Sequence, residues 1–425
     1  MVYHVGDLTV TTGKTGACEY AKVSYPVRYG TFDEIRTRDF VFQFDRLGEL
    51  KHVQGRSEDW PSPGEWLKRS RGNDWTYYSA GDYGGIIERF GEYYFPCFSY
   101  PSNSIMGDRP FRSKGVQRGL GAAQDLTKRI GMMTQGSLPS DIGSFFNRAA
   151  AHDRKTLARR AARLHRLIGG RVSVLPPDAR HTDYEVVPLV LADGCLYNCG
   201  FCSVKSGQGL KARSRANVAL QIAGLKEFYG PELRNYNSLF LGRHDALKVG
   251  ADLIEFAAEA AYDSLWFAYS FMKGATLFLF GSADSLLEAD ERLFRWLDKT
   301  PFFTYINVGL ESCDAATLSF LGKPLSEGKV GDALARMGEI NGRYERIEVS
   351  ANFVIGPHLP PSHLDSLLAM AGPVRSSFGK GTLYISPIVR DDETGAEENR
   401  ALLAQFWEIK KASTLPAYLY LIQRL

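Results

Sequence analysis

Cysteine is scarce in this sequence, and so are long apolar runs and an excess of either charge. Only 6 of the 425 residues are cysteine, which is too few for a disulfide framework in a chain of this size. No apolar run approaches the roughly 20 residues that a membrane-spanning helix requires. The net charge of +3 gives no general attraction to polyanions. These absences favour a protein of the reducing cytoplasm.

The remaining composition is that of an ordinary globular protein, with 44% apolar and 23% charged residues. The length allows two or three domains with a large core. The first residues lack the basic and apolar regions of a secretory signal, so we expect a cytoplasmic location. No cobalamin-binding domain is evident in the N-terminal half.

Three of the six cysteines lie together within Ala192–Ser203. Cys195, Cys199 and Cys202 are separated by three and then two residues, and the apolar run Val186–Leu191 before them is typical of a strand. Three thiolates on one loop suit three corners of a four-iron, four-sulfur cluster better than tetrahedral zinc, and one iron would stay open. A zinc site, a redox disulfide pair and unrelated buried cysteines remain as alternatives.

This Cys-x3-Cys-x2-Cys spacing, with the aromatic Phe201 just before the last cysteine, resembles the signature of the radical S-adenosylmethionine (SAM) superfamily. The resemblance implies that Cys195, Cys199 and Cys202 bind a [4Fe-4S] cluster whose open iron chelates SAM, with Phe201 shielding the cluster. It also implies that the reduced cluster splits SAM into methionine and a 5′-deoxyadenosyl radical, which abstracts hydrogen from a substrate. A reductant such as flavodoxin or ferredoxin would supply the electron.

Strands and helices alternate from about residue 184 to residue 425, which predicts a parallel sheet with crossover helices. Six strand–helix units match the partial (β/α)6, TIM-like barrel of the radical SAM fold, in which chemistry gathers after the C-terminal ends of the strands. The predicted strands are Val186–Leu191, Ser238–Leu241, Thr276–Phe280, Thr304–Val308, Ile347–Val354 and Thr382–Ile388.

The ends of the second and third strands carry small and polar residues. The superfamily has a Gly-Gly-Glu-like turn after strand two, and the resemblance transfers only to Gly242. Arg243, which follows, is suited to pair with a carboxylate, and His244 is either a proton donor or a packed side chain. After strand three, Ser282 is suited to the ribose hydroxyls of SAM or to a substrate, whereas Asp284 is equally suited to cap a helix.

The ends of the fourth and fifth strands carry a second resemblance. Strand four leads into Gly-Leu-Glu-Ser, followed by Asp, Thr-Leu and Gly-Lys-Pro, a string similar to the subgroup of elongator-type and methylthiotransferase-type enzymes. It implies that Glu311 and Ser312 contact SAM. Strand five resembles the family's adenine-binding Gly-x-Ile-x-Gly region, where Ile355 and Gly356 carry over and Asn352 replaces the first glycine. Arg390, after strand six, is a further candidate to approach SAM or substrate.

The first 183 residues lie outside the resemblance. Alternating apolar residues predict a β-rich domain over residues 1–110, whose aromatic cluster either lines a groove or forms core: Trp60, Trp66, Trp75, Tyr77 and Tyr78. Residues 111–183 are helical and basic. There, Gly115–Leu126 resembles a phosphate-binding helix-hairpin-helix turn or is a helix-turn-helix packing element, and the arginine-rich run Asn147–Ile168 is a solvated helix or a nucleic-acid contact.

The function predicted from these features is that of a radical SAM enzyme acting on an unidentified, small-molecule substrate. Cys313 and Tyr384 are candidates to quench the product radical, although each is suited to a structural role. Two alternatives stay open, namely a radical SAM enzyme that modifies tRNA or another nucleic acid, and a non-catalytic iron–sulfur or zinc module.

Overall fold

The structure is a computed structural model of the chain. It describes residues 1–20, 28–79, 95–98, 109–134, 138–202, 207–372, 380–388 and 396–425. The candidate Arg390 therefore lies outside the described residues. No helix in these ranges combines the length and the apolar character needed to cross a membrane.

The N-terminal part is an eight-stranded antiparallel sheet in which each strand pairs with the next along the chain. One sheet face is apolar and packs against two helices, α1 (Lys114–Met133) and α2 (Ser140–Ala150). The strands are β1 (Val2–Val5), β2 (Leu8–Thr15), β3 (Thr31–Arg36), β4 (Phe40–Phe44), β5 (Leu50–Gly55), β6 (Trp66–Arg69), β7 (Trp75–Ser79) and β8 (Phe95–Cys97).

The aromatic cluster of this sheet is core and does not line an open groove. Trp60 and Tyr77 belong to the core between sheet and helices, and each is at most 4% exposed. Trp66 and Tyr78 are equally buried and stack on each other at 4.9 Å. Aromatic side chains supply large apolar area, so their burial here accounts for their abundance.

The glycine-rich stretch from Gly115 does not form a helix-hairpin-helix turn, and it is not a helix-turn-helix element either, because it lies inside the single helix α1. A Cβ on Gly115 would lie 2.2 Å from the carbonyl oxygen of Asp59, and one on Gly119 would lie 3.1 Å from the ring of Trp60. These glycines let the helix approach the sheet. Local sequence cannot distinguish that use from a turn.

The arginine-rich run is divided between α2 and a third helix, α3 (Arg154–Ile168), which Asp153 caps by accepting from the amide of Thr156. Part of its charge is bound within the protein. Arg160 contacts Glu49 and the carbonyl oxygen of Phe228, and Arg163 binds Glu227. The helix therefore uses some of its cations to attach to its neighbours.

The C-terminal part contains a seven-stranded parallel sheet, in the order β17-β16-β15-β14-β13-β12-β9. All six predicted barrel strands are present, and the short β17 was not predicted. No pairing among the described residues joins the edge strands β9 and β17, so the α/β barrel is partial. The strands are β9 (Val187–Leu189), β12 (Ser238–Asp245), β13 (Thr276–Gly281), β14 (Phe303–Glu311), β15 (Ile347–Ile355), β16 (Leu383–Pro387) and β17 (Ala417–Leu419).

Helices between the strands cover the outside of this sheet and share its core. A two-stranded ladder, β10 (Ala192–Asp193) with β11 (Lys211–Ala212), closes the base of the cysteine loop. The helices are α4 (Arg215–Tyr229), α5 (Ala251–Ser264), α6 (Ala283–Glu288), α7 (Glu291–Leu297), α8 (Ala315–Phe320), α9 (Glu327–Arg343), α10 (Ser362–Ala371) and α11 (Ala396–Ala412).

Buried ion pairs join the N-terminal sheet to the barrel. The Arg71 guanidinium binds Asp45 at 2.6 Å and Glu49 at 3.3 Å within the sheet, and Glu232 of the barrel at 3.1 Å. Lys68 of β6 binds Glu185 at 2.6 Å, just before β9. Buried charges must be paired to be tolerated, so the two parts share one electrostatic network. The domain boundaries given by the sequence remain a prediction.

A short 3₁₀ turn, Pro177–Thr182, lies at the N-terminal end of the barrel strands. His181 stacks on Tyr305 of β14, and Asp178 accepts a hydrogen bond of 2.7 Å from Ser350 of β15. Burial raises the pKa of Asp178 to about 7, since an apolar surrounding disfavours the charged carboxylate. The negative charge of Glu348 adds to this effect.

We expect Gly115→Ala to lower the melting temperature, because its new methyl group meets backbone that cannot move aside. The matched control is Gly121→Ala in the same helix, where nothing lies within 4 Å of the added Cβ. That change should stabilise the protein by up to about 1 kcal/mol through helix propensity. Thermal unfolding followed by circular dichroism measures both, and equal effects would contradict the packing role of Gly115.

We expect Asp178→Asn to stabilise the protein above pH 7 and to have little effect near pH 4. The folded state keeps the Asp178 proton up to about pH 7, whereas the unfolded chain releases it near its ordinary pKa, so the carboxyl lowers stability as pH rises between these values. Melting temperatures at pH 5 and pH 8 test this, with exposed Asp365→Asn as control. A benefit that does not grow with pH would contradict it.

Candidate functional site

The loop that carries the three clustered cysteines follows β9 and lies at the C-terminal edge of the parallel sheet. Cys199 is 8% exposed, Cys195 and Cys202 are partly exposed, and none of the three forms a disulfide. No three His, Cys, Asp or Glu side chains converge on a single ion in the described part of the chain. A cubane cluster differs, since each thiolate binds a separate iron.

Asn198 braces this loop from within. It adopts a left-handed backbone with φ of 49°, which asparagine tolerates better than most residues. Its side-chain amide donates to the carbonyl oxygens of Cys195 at 3.1 Å and Gln208 at 3.2 Å. Its carbonyl oxygen accepts from the amide of Gly207 at 3.0 Å. The Asn198 side chain therefore links Cys195, at the start of the loop, to Gly207 and Gln208 near its end.

Glycines let the loop fold tightly and pack against the turn after α8. A Cβ on Gly194, at φ of 84°, would lie 2.0 Å from the carbonyl oxygen of Gly209. Gly322 has a φ of 60°, and a Cβ added there would lie only 3.0 Å from the amide nitrogen of Gly200. The amide of Phe201 donates to the carbonyl oxygen of Leu321 at 3.2 Å. The two loops are therefore interlocked.

Tyr197 connects the loop to the end of β13. Its hydroxyl donates to Asp284 at 2.6 Å, and Asp284 also binds Lys329. Asp284 does not cap the following helix: the cap is Ser282, whose hydroxyl accepts from the amide of Ser285 at 3.0 Å. The Ser282 hydroxyl also donates to Asp245 at 2.5 Å. Both polar residues predicted after strand three are therefore engaged within the protein.

Asp193, at the base of the loop, is held by two arginines. Arg213 binds it with two parallel hydrogen bonds of 2.6 and 2.9 Å, and Arg243 adds one of 3.1 Å. The carboxylate that Arg243 binds is therefore that of Asp193, within the protein itself. These arginines lower the pKa of Asp193, the largest cause being the hydrogen bonds from Arg213. The two arginines therefore hold Asp193 in the β10–β11 ladder at the base of the cysteine loop.

Glu311 and Lys323 form a buried ion pair beside the cysteine loop. The ammonium of Lys323 lies 3.0 Å from Oε1 of Glu311, and both side chains are at most 10% exposed. Glu311 ends β14 in a left-handed conformation with φ of 70°, which is strained for a residue with a Cβ. A Cβ on Gly309 would lie 2.7 Å from the Glu311 carboxylate, so the glycine makes room for the pair.

The remaining predicted residues lie at the same edge. Gly242, at φ of 105°, lies in the irregular end of β12, and the pKa of neighbouring His244 is lowered by burial. Ser312 is buried and lies 2.8 Å from Nδ1 of His363, whose Nε2 donates to the carbonyl oxygen of Val354. The SAM contacts predicted for these residues, and for Ile355 and Gly356 at the end of β15, remain predictions.

Of the two candidate radical quenchers, Cys313 is partly exposed and Tyr384 is buried. Burial raises the pKa of the Cys313 thiol to about 12. Tyr384 is 1% exposed, inside the barrel on β16. Sequence reasoning missed Lys323, Asn198 and Asp193 as parts of the site. Lys323 lies in the Gly-Lys-Pro string, so its position was visible, but no sequence signal distinguishes a buried lysine from an exposed one.

The inside of the barrel has an aromatic wall and a polar wall. Phe240 packs edge-on against Phe280, and Phe278 stacks on Tyr305. Polar side chains lie on the neighbouring strands β14, β15 and β16. Within the described residues, one buried side-chain oxygen lacks a hydrogen-bond partner at five positions of these strands: Thr304, Asn307, Asn352, Tyr384 and Ser386. Unpaired buried oxygens are costly, so they favour a polar ligand in this space.

No family model matches the chain. No curated protein matches it either. Among solved structures, it is similar to a radical SAM methyltransferase from Sphaerobacter thermophilus, with a TM-score of 0.38 and 14% identity over 55% of this chain and 65% of that one. It is also similar to methylornithine synthase (PylB), with a TM-score of 0.33 and 12% identity over 68% of this chain and 78% of that one.

A third similar structure is the cobalamin-dependent SAM radical enzyme OxsB, with a TM-score of 0.33 and 16% identity over 53% of this chain and 30% of that one. The chain thus spans less than two thirds of the methyltransferase and of OxsB. Of these three structural neighbours, the methyltransferase and OxsB are radical SAM enzymes. Scores of this size describe a partial resemblance in the arrangement of strands and helices, and they carry no conclusion about ligand or reaction.

We expect Asn198→Ala to impair iron binding by the cysteine loop, since it removes three hydrogen bonds and the side chain that tolerates the left-handed backbone. Asn198→Gly keeps the backbone freedom and removes only the hydrogen bonds. Iron per protein after anaerobic reconstitution should therefore fall in the order wild type, glycine variant, alanine variant. Equal iron content in all three would show that the brace is dispensable.

Proposed function

We propose that this protein is a radical SAM enzyme, with a [4Fe-4S] cluster held by Cys195, Cys199 and Cys202. The observation that carries the proposal is the arrangement of three cysteines, none of them in a disulfide, on one braced loop at the C-terminal edge of a partial barrel. Thiolates are the usual ligands of iron–sulfur clusters. A ligand set of three leaves one iron for a molecule that is not protein.

The residues around the thiols fit such a cluster. The loop has no room for further side chains at Gly194 and Gly200, where a Cβ would come within 3.1 Å of backbone oxygens. Lys323 brings a buried positive charge to a site that would gather thiolates, which suits the negative charge of a thiolate-bound cluster. Phe201, anchored through its backbone to Leu321, would cover the cluster.

When bound, the cluster supplies one electron for the reductive cleavage of SAM, which yields the radical that removes hydrogen from the substrate. The protein's part is to bind, orient and exclude water. Gly242, Ile355 and Gly356 would offer backbone groups to SAM. Glu311 would offer its carboxylate. The hydroxyls of Ser282 and Ser312 already bind Asp245 and His363, so these residues would contribute mainly through their backbone.

The substrate would enter the barrel beside SAM. The unpaired oxygens of Asn352 and Ser386 lie on the neighbouring strands β15 and β16, which supports a small molecule with polar hydrogen-bond donors. A flavodoxin or ferredoxin would deliver the electron, in the cytoplasm. The nucleic-acid alternative has less support, because Arg148, Arg160 and Arg163 of the basic run bind acidic side chains of the protein itself.

We expect Cys199→Ala to abolish the brown colour of the reconstituted protein and to eliminate cleavage of SAM to 5′-deoxyadenosine under dithionite. Cys18→Ala, at a distant free cysteine, should leave both unchanged. Iron analysis, the visible spectrum and chromatography of the products measure these effects. Full cleavage by Cys199→Ala would refute the proposal, and stoichiometric zinc with no visible absorption in the wild type would favour a zinc module instead.

A further inference from the structure

Lys323 is a lysine in an unusual position, because its side chain is only 6% exposed. Lysine is almost never fully buried unless it is paired, since removing its charge from water is costly. Among the described residues its one ion-pair partner is Glu311, at 3.0 Å. The ammonium has three donors, so this single hydrogen bond leaves it able to act on other groups nearby.

The fold fixes Lys323 against the cysteine loop. It directly follows Gly322, which packs on Gly200, and its ammonium lies 5.2 Å from the centre of the Tyr197 ring. Its surroundings are therefore the residues between and beside the cysteines. The contact between the backbones of Gly322 and Gly200 fixes the position of Lys323, so this lysine does not have the freedom of a lysine on the surface.

The groups that face Lys323 are acidic. Besides Glu311, these are the thiols of Cys199 and Cys195, both of which favour its charged form, so that its pKa is raised although burial opposes this. Burial raises the pKa of the Cys199 thiol, and the positive charge of Lys323 opposes that rise. The two groups are thus electrostatically coupled without lying in direct contact.

We propose that the positive charge of Lys323 raises the reduction potential of the cluster bound by Cys195, Cys199 and Cys202. This inference rests on the proposed function. In the step concerned, one electron passes from a low-potential donor to the cluster, the total negative charge of the cluster and its thiolates increases by one, and no bond or proton changes. A fixed cation stabilises the more negative form, and the net charge around a cluster sets its potential.

Lys329 provides a matched comparison on the same side of the barrel. Its side chain is 41% exposed and binds Asp284, which also binds the hydroxyl of Tyr197. Solvent and salt screen an exposed charge far more than a buried one. A lysine near the loop but in water should therefore have little influence on the cluster, whereas the buried Lys323 should have much.

The test is a potentiometric titration of the reconstituted full-length protein, without SAM, followed by the electron paramagnetic resonance signal of the reduced cluster. Lys323→Met removes the charge and keeps the length of the side chain. It should shift the equilibrium at least tenfold toward the oxidised cluster, which is about 59 mV for a one-electron couple. Lys323→Arg should stay close to wild type, and so should Lys329→Met.

Glu311→Gln supplies an arm of opposite sign, because it removes a negative charge beside Lys323 and should raise the potential. If Lys323→Met does not assemble a cluster, the reduction potential of Glu311→Gln is the measurement that tests the inference. If Lys323→Met binds its full iron content and its cluster has the wild-type reduction potential, the inference is overturned. If Lys323→Met does not assemble a cluster, a wild-type reduction potential in Glu311→Gln overturns the inference. Failure of the wild type to bind a cluster would instead overturn the proposed function, so the two failures are distinguishable.

Discussion

The burial of one positive charge beside three thiols is the constraint on which the rest of the site depends. The Lys323 ammonium is withdrawn from water, so it needs the Glu311 carboxylate at 3.0 Å. That carboxylate takes its place because β14 ends in a left-handed residue and because Gly309 has no side chain. The lysine itself is held there by the turn at Gly322, which fits against the cysteine loop. Backbone strain, two glycines and a charge pair therefore act together at this position.

Hydrogen bonds within the protein organise the mouth of the barrel. The cysteine loop is attached to the ends of several strands, through Arg243 to β12, through Tyr197 and Asp284 to the helix after β13, and through Leu321 to the segment after β14. Each attachment is a specific hydrogen bond between the loop and a residue at the C-terminal edge of the sheet. A site whose ligands are held in this way loses less conformational freedom on binding, and it keeps competing geometries out.

Much of the fold was predictable from sequence, because buried parallel strands are continuous apolar runs and all six such runs form strands. The three-residue β17 gave too short a signal. Gly115 was misread because close packing and a tight turn both require glycine, and only the position of Asp59 distinguishes them. The cysteines and the residues after each strand could be proposed from spacing. The pairing of Arg243 with Asp193, and the burial of Lys323, depend on contacts between residues 50 and 12 positions apart in sequence, which no local pattern reports.

The ion pairs between the N-terminal sheet and the barrel have a consequence for how the protein can be dissected. Glu232 and Glu185 belong to the barrel side, yet their cationic partners Arg71 and Lys68 come from the sheet. A barrel produced without the sheet would leave these two buried acids without counter-ions. It would also expose the barrel surface that the sheet now covers. The N-terminal sheet is therefore part of the structural support of the barrel, and a shortened protein that retained Cys195, Cys199 and Cys202 would still lack the cations that pair with Glu185 and Glu232.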